Sequence, residues 1–129
     1  MARVFICYRR VEPDQSVAKA LDHALTAAGH EVFVDLKMQV GTPWAQRIEE
    51  ELQRAEVLIA LMSERSVGSE MAVGEIGTAH RLRKRILPVR LAYREPFQYP
   101  LSAWLNPINW AYLDGESDTP SRRNMPPGD

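Results

Sequence analysis

Several kinds of chemistry are excluded by what this sequence lacks. No GxGxxG follows its first apolar run and no GxxxxGK[ST] occurs, so neither a Rossmann-type dinucleotide grip nor a P-loop is supported. Its one cysteine, Cys7, cannot form an internal disulfide and reads as a small core residue. There is no GxSxG either, so the usual parts of covalent hydrolase chemistry are missing. His23, His30 and His80 have no metal-ligand spacing between them, and no metal site is expected. Apolar runs reach only about six residues, far short of a membrane span. Met1-Ala2-Arg3 leads straight into a strand-like run rather than the long apolar region of a signal peptide. A cytoplasmic protein with no membrane partner is therefore expected. Charge of one sign is also missing. Sixteen basic residues face 17 acidic ones, for a net charge of −1, so no global field draws the chain to nucleic acid.

What is present is enough for one domain. The 129 residues, 45% hydrophobic and 26% charged, can bury a single core. Val4-Phe5-Ile6-Cys7-Tyr8 is almost wholly apolar, the pattern of a strand covered on both faces. It ends in Tyr8-Arg9-Arg10 and a polar loop. Asp14 then caps a predicted helix whose inward face is Val17, Leu21, Ala24, Leu25 and Ala28, and Gly29 stops it. Val32-Phe33-Val34, closed by Asp35, predicts a second strand. Thr42-Pro43 opens a second helix with Ala45, Ile48, Leu52 and Ala55 inward and Glu50 paired with Arg54 outside. Residues 57–62 predict a third strand. Residues 86–91 predict a fourth, and Pro88 suggests a place near a sheet edge or a strand end. A helical turn at 101–105 and a short fifth strand at 108–113 complete the domain, residues 1–113. From Asp114 the chain turns polar and rich in Pro, Gly and Ser, and 114–129 reads as a flexible tail or a linker to a further domain.

Strands alternating with helices imply an α/β sandwich around a mainly parallel sheet. In such sheets ligands sit outside the carboxyl ends of the strands. Tyr8, Arg9, Asp35 and Ser63 all fall at those ends. A phosphate-accepting receiver domain is excluded, because it needs an acidic pair after the first strand and an aspartate ending the third.

Residues 63–80, SERSVGSEMAVGEIGTAH, form the stretch of greatest interest. They give a third helix with Ala72, Ile76 and Ala79 inward. Glu75 lies between Gly74 and Gly77 and has no basic residue three or four positions away. Each helix glycine costs about 1 kcal/mol relative to alanine, so two of them suggest close approach by a ligand or a neighbouring helix. Arg81, Arg83, Lys84 and Arg85 crowd the helix end, where cations complement its dipole; this is read as a solvated end rather than a nucleic-acid patch.

These segments together resemble the TIR (Toll/interleukin receptor) domain family, in order and spacing, over residues 3–113. Val4-Phe5-Ile6-Cys7-Tyr8-Arg9-Arg10 is similar to the family's opening FISYRR, particularly in bacterial members. Val32-Phe33-Val34-Asp35 followed by Gly41-Thr42-Pro43-Trp44 resembles its second strand and BB loop. Residues 57–63 resemble its third strand. Ser69-Glu70-Met71-Ala72-Val73-Gly74-Glu75-Ile76 resembles the segment carrying the glutamate of NAD-cleaving members. Met71 is a departure, since those members often carry tryptophan there.

The resemblance implies a flavodoxin-like three-layer sandwich with a five-stranded parallel sheet of order 2-1-3-4-5. It implies one of two functions. The first is an NAD+ nucleosidase, a TIR effector that frees nicotinamide and leaves ADP-ribose or a cyclic isomer, with Glu75 catalytic and NAD+ as substrate rather than cofactor. Tyr8, Arg9, Asp35, Trp44, Ser63 and Met71 would then bind the substrate. The second is a non-enzymatic TIR–TIR signalling scaffold. Either implies homotypic contacts through loop 36–43, a fused C-terminal sensing or oligomerising domain, and a role in immunity such as anti-phage defence.

Overall fold

Alternation along strand β1 (Arg3–Cys7) builds two cores at once. Successive side chains of a strand point to opposite faces. Phe5 and Cys7 face a core shared with the helices α2 (Trp44–Arg54), α3 (Glu70–Arg81) and α4 (Leu101–Leu105). Val4 and Ile6 face a second core against α1 (Asp14–Ala27). The computed structural model describes residues 1–34, 44–108 and 110–113, without the side chains of Trp44 and Ala45. Loop 36–43 and the tail 114–129 lie outside the described residues.

The sheet is wholly parallel and has the order β2-β1-β3-β4-β5, as the flavodoxin-like expectation requires. Its remaining strands are β2 (Glu31–Val34), β3 (Val57–Met62), β4 (Arg85–Leu91) and β5 (Ala111–Leu113). Order reverses between β1 and β3, which places the switch-point crevice at Cys7 and Ala60, register partners. Leu58, Ala60 and Met62 join the α2–α4 side, while Ile59 and Leu61 join the α1 side. Ala72, Ile76 and Ala79 are the buried face of α3, as the periodicity predicts.

Four expectations change. Asp14 does not cap α1. It is the first helical residue and fully buried, and the turn before it serves the helix instead, with Val11 and Pro13 carbonyls accepting from the Gln15 and Val17 amides. Ala24 and Ala28 are exposed, and the apolar face of α1 is Val17, Ala18, Leu21 and Leu25. Arg54 pairs with Glu51 at 3.8 Å rather than with Glu50, because Arg47 already draws Glu51 to that side of α2 at 3.1 Å. The fifth strand spans only residues 111–113, since the chain from 106 to 108 is still turning out of α4.

Pro88 fits its strand for a local reason. Strand β4 lies inside the sheet, but its pairing with β5 begins only at Val89. Up to Pro88 no strand among the described residues pairs with its outer side, so the missing N–H costs no bond to β5. Gly29 ends α1 with φ +98°, a value that glycine adopts without strain.

Candidate functional site

A serine turn aims α3. After β3 the Ser63 amide donates to Ser66 Oγ at 2.7 Å, and Ser66 Oγ donates back to the Leu61 carbonyl at 2.8 Å. The Ser66 amide in turn donates to Ser63 Oγ at 3.3 Å. This fixes the single 3₁₀ turn at Ser66–Gly68. Ser69 then caps α3, its hydroxyl accepting from the Ala72 amide at 3.3 Å. With Ala72 and Ile76 packed on the sheet, Glu75 is half-buried and directed toward the end of β1.

There it meets Cys7. The Cys7 thiol is fully buried and lies 3.7 Å from the Ala72 carbonyl oxygen, on the turn of α3 that precedes Glu75. Burial pushes its pKa well up, and the charge of Glu75 and a hydrogen bond to its carboxylate push it further. The thiol is therefore a neutral neighbour of Glu75 and not a nucleophile. On its outer side Glu75 lines a cavity of about 330 Å³ between α2 and α3, a volume within the range of small-ligand sites. Ile48 and Leu52 contribute from α2, and Met71, Gly74 and Thr78 from α3. Glu49 and Glu70 line it too, with Arg81 as its one lining cation, so its field favours positive charge.

The two glycines beside Glu75 do different things. Gly74 lies on the cavity, and a Cβ there would meet nothing within 4 Å. Gly77 serves α4 rather than Glu75, since a Cβ would fall 2.7 Å from Cη2 of Trp104.

A second carboxyl group lies below the crevice. Asp14 is fully buried, and both its oxygens are without a hydrogen-bond partner among the described residues. Burial raises its pKa; the nearby Ser63 hydroxyl and the Arg9 amide oppose this, although neither reaches hydrogen-bond geometry with it.

Of the residues singled out from sequence, Glu75 and Met71 come together on one cavity; Met71 is 49% exposed. Ser63 is 4% exposed and held within the serine turn, outside that cavity's lining. Tyr8 packs with the α1-side core, and Arg9 is exposed at the end of β1. Asp35 and the Trp44 side chain lie outside the described residues.

A model of the TIR domain family matches residues 4–124. The chain belongs to the TIR domain family. No curated protein matches this TIR domain by sequence. Among solved structures it is similar to the TIR domains of the activated Roq1 resistosome recognising the pathogen effector XopQ. That match has TM-score 0.61 and 17% identity, covering 70% of this chain and 58% of that one. It is similar to the Clostridium botulinum CMP N-glycosidase BcmB, with TM-score 0.65, 20% identity and 87% of each chain covered. A 2-desoxiribosyltransferase from Leishmania mexicana gives TM-score 0.57 and 16% identity, with 70% of this chain and 65% of that one covered. At these identities the likeness is one of fold. The TIR domain thus spans less than two thirds of the Roq1 and Leishmania chains. Among its described residues no helix is long and apolar enough to cross a membrane.

Sequence reasoning missed one conspicuous group of the TIR domain. Arg90, in β4, is buried with its guanidinium 4.1 Å from the Phe97 ring centroid and 4.4 Å from that of Trp110. It donates to the Tyr93 and Glu95 carbonyls at 3.2 and 2.9 Å, which folds loop 92–96 back over the strand end. Burial lowers its pKa. The signal was available: a lone cation inside the apolar run Ile86-Leu87-Pro88-Val89-Arg90-Leu91.

Proposed function

We propose that this TIR domain is an NAD+ nucleosidase that cleaves the nicotinamide–ribose bond, with Glu75 as its catalytic carboxylate. The observation that carries this reading is Glu75 itself, half-buried beside a neutral thiol and lining a ligand-sized cavity with Met71. Glycoside hydrolysis generally needs a second carboxylic acid to protonate an alkoxide leaving group. Nicotinamide leaves as a neutral base from a cationic centre, so one carboxylate suffices. Its task is to stabilise positive charge developing on the ribose and to hold the ribose hydroxyls. The acidic lining from Glu49 and Glu70 acts in the same direction. Arg9, exposed at the crevice, offsets diphosphate charge. Asp35 and Trp44 complete the substrate-binding set, with Trp44 stacking on an aromatic ring of the substrate. Ser63 in its turn and Tyr8 at the end of β1 shape the rim rather than the Glu75 cavity. Water attack gives ADP-ribose and attack by the adenine gives a cyclic isomer. Two structural neighbours are named for related chemistry, an N-glycosidase acting on CMP and a transferase of the deoxyribosyl group.

Activity on this reading depends on self-association through loop 36–43. The Roq1 neighbour, whose TIR domains belong to a resistosome, supports clustering as the working state. The test is NAD+ turnover by clustered protein, wild type against Glu75→Gln. Loss of about 100-fold or more is expected on removing the charge. Equal rates, or no turnover even when concentrated and crowded, would leave the scaffold reading in its place.

A further inference from the structure

At the opposite end of the sheet, the amino ends of β3 and β4 adjoin a second and larger cavity of about 830 Å³. Its lining draws on the last turn of α3 and on α4, whereas the Glu75 cavity lies between α2 and α3. Two kinds of group meet in it. One is aromatic: the Trp104 indole stands against the His80 imidazole with centroids 5.9 Å apart and planes at 28°. His80 is exposed, and the indole reaches this place only because Gly77 leaves room for it. The other is cationic: Arg83, Lys84 and Arg85 line the cavity against the single carboxylate of Glu56.

These cations are available. Lys84 Nζ spends one hydrogen on the Gln53 carbonyl at 2.7 Å and keeps two. Arg83 and Arg85 are exposed and make no ion pair with any described residue. Arg83 also sits where an arginine is costly. It follows the end of α3 with φ 60°, the left-handed turn that glycine fills without strain and other residues fill at about 1 kcal/mol. Helix termination alone would favour glycine there, so the guanidinium calls for a use of its own.

We propose that this cavity is a nucleotide-binding site, separate from the Glu75 cavity, that takes a nucleoside diphosphate. The base lies against the His80–Trp104 wall, and the phosphates bind the guanidinium groups of Arg83 and Arg85 and the ammonium of Lys84. Its size suits a whole nucleotide, since ligand pockets run from about 300 to 1,000 Å³. A nucleic-acid strand fits less well. Arg83, Lys84 and Arg85 meet in one cavity rather than along a track, and the chain carries a net charge of −1, too little basic field to hold a polyanion.

The experiment is calorimetric titration of the full 129-residue chain with ADP, adenosine and inorganic pyrophosphate. ADP is expected to bind, with adenosine and pyrophosphate each weaker by about tenfold or more. Arg83→Glu with Arg85→Glu should weaken ADP by a similar factor. Arg83→Gly, which the backbone favours, should weaken it by a smaller factor and leave the fold intact, so it answers the question even if the double reversal fails to fold. Three results would each overturn the proposal: no ADP binding at millimolar concentration, ADP binding indifferent to these substitutions, or pyrophosphate binding as tightly as ADP, which marks a general anion site only.

Discussion

The indole of Trp104 fills the space that a side chain on Gly77 would need, with Cη2 2.7 Å from the position of a Cβ. Gly77→Ala should therefore destabilise the domain despite alanine's advantage of about 1 kcal/mol in a helix. Overpacking costs about 1–3 kcal/mol, and with a Cβ only 2.7 Å from a ring carbon the upper end applies, so a net loss of up to roughly 2 kcal/mol and a fall in Tm of several degrees are expected. Gly74→Ala is the matched control: with nothing within 4 Å of its Cβ, it should gain up to about 1 kcal/mol. Urea unfolding of the two variants compares them directly, and opposite signs are required.

The Cys7 thiol should be silent in the native protein. It is fully buried, and burial and Glu75 both hold it protonated. A thiol reagent at pH 8 should label it only at the rate of unfolding, and denaturant should release one reactive thiol per chain. Rapid labelling of folded protein would contradict its place between β1 and α3.

Asp14 makes stability depend on pH in the direction opposite to most carboxylates. Its folded pKa is raised, so between the unfolded value and the folded one the native state holds the extra proton. Its contribution is therefore most favourable at low pH and is lost as pH rises through that window. Asp14→Asn removes the titration. Relative to wild type, its Tm should improve as pH is raised from about 4 to about 7; a constant difference would show that Asp14 does not titrate anomalously.

Arg90 holds loop 92–96 through two carbonyls while lying between Phe97 and Trp110. Arg90→Leu keeps the apolar volume and abandons both hydrogen bonds. A loss of about 2–4 kcal/mol is expected from charged hydrogen bonds and cation–π contact together. Limited proteolysis should then cut within residues 92–96, where the wild type resists.

The strand–helix alternation, the inward faces of α2 and α3 and the position of Glu75 on its helix were legible because each depends on local periodicity, whereas the sheet order followed only from the resemblance to the TIR family. Val57–Met62 is apolar throughout, and Ala72, Ile76 and Ala79 recur at helical spacing. What escaped involves residues distant in sequence that the sheet brings together. Asp14 looks like a helix cap until the fold packs it beside Arg9 and Ser63, just past the ends of β1 and β3, and nothing near Cys7 in the chain announces Glu75 as its neighbour. Gly77 and Trp104 explain one another, yet each alone is ambiguous. The ion pairs of α2 were misassigned for a smaller reason: Glu51 lies within reach of both Arg47 and Arg54.

The late start of β5 leaves the outer margin of β4 from Arg85 to Pro88 without a paired strand among the described residues. An open margin is a template for a foreign strand, and this one carries a charge at one end and, at the other, a residue with no N–H to offer. Leu87 between them is exposed, yet a strand docking there would find its ladder interrupted at the next position. On this flank the described residues disfavour strand addition.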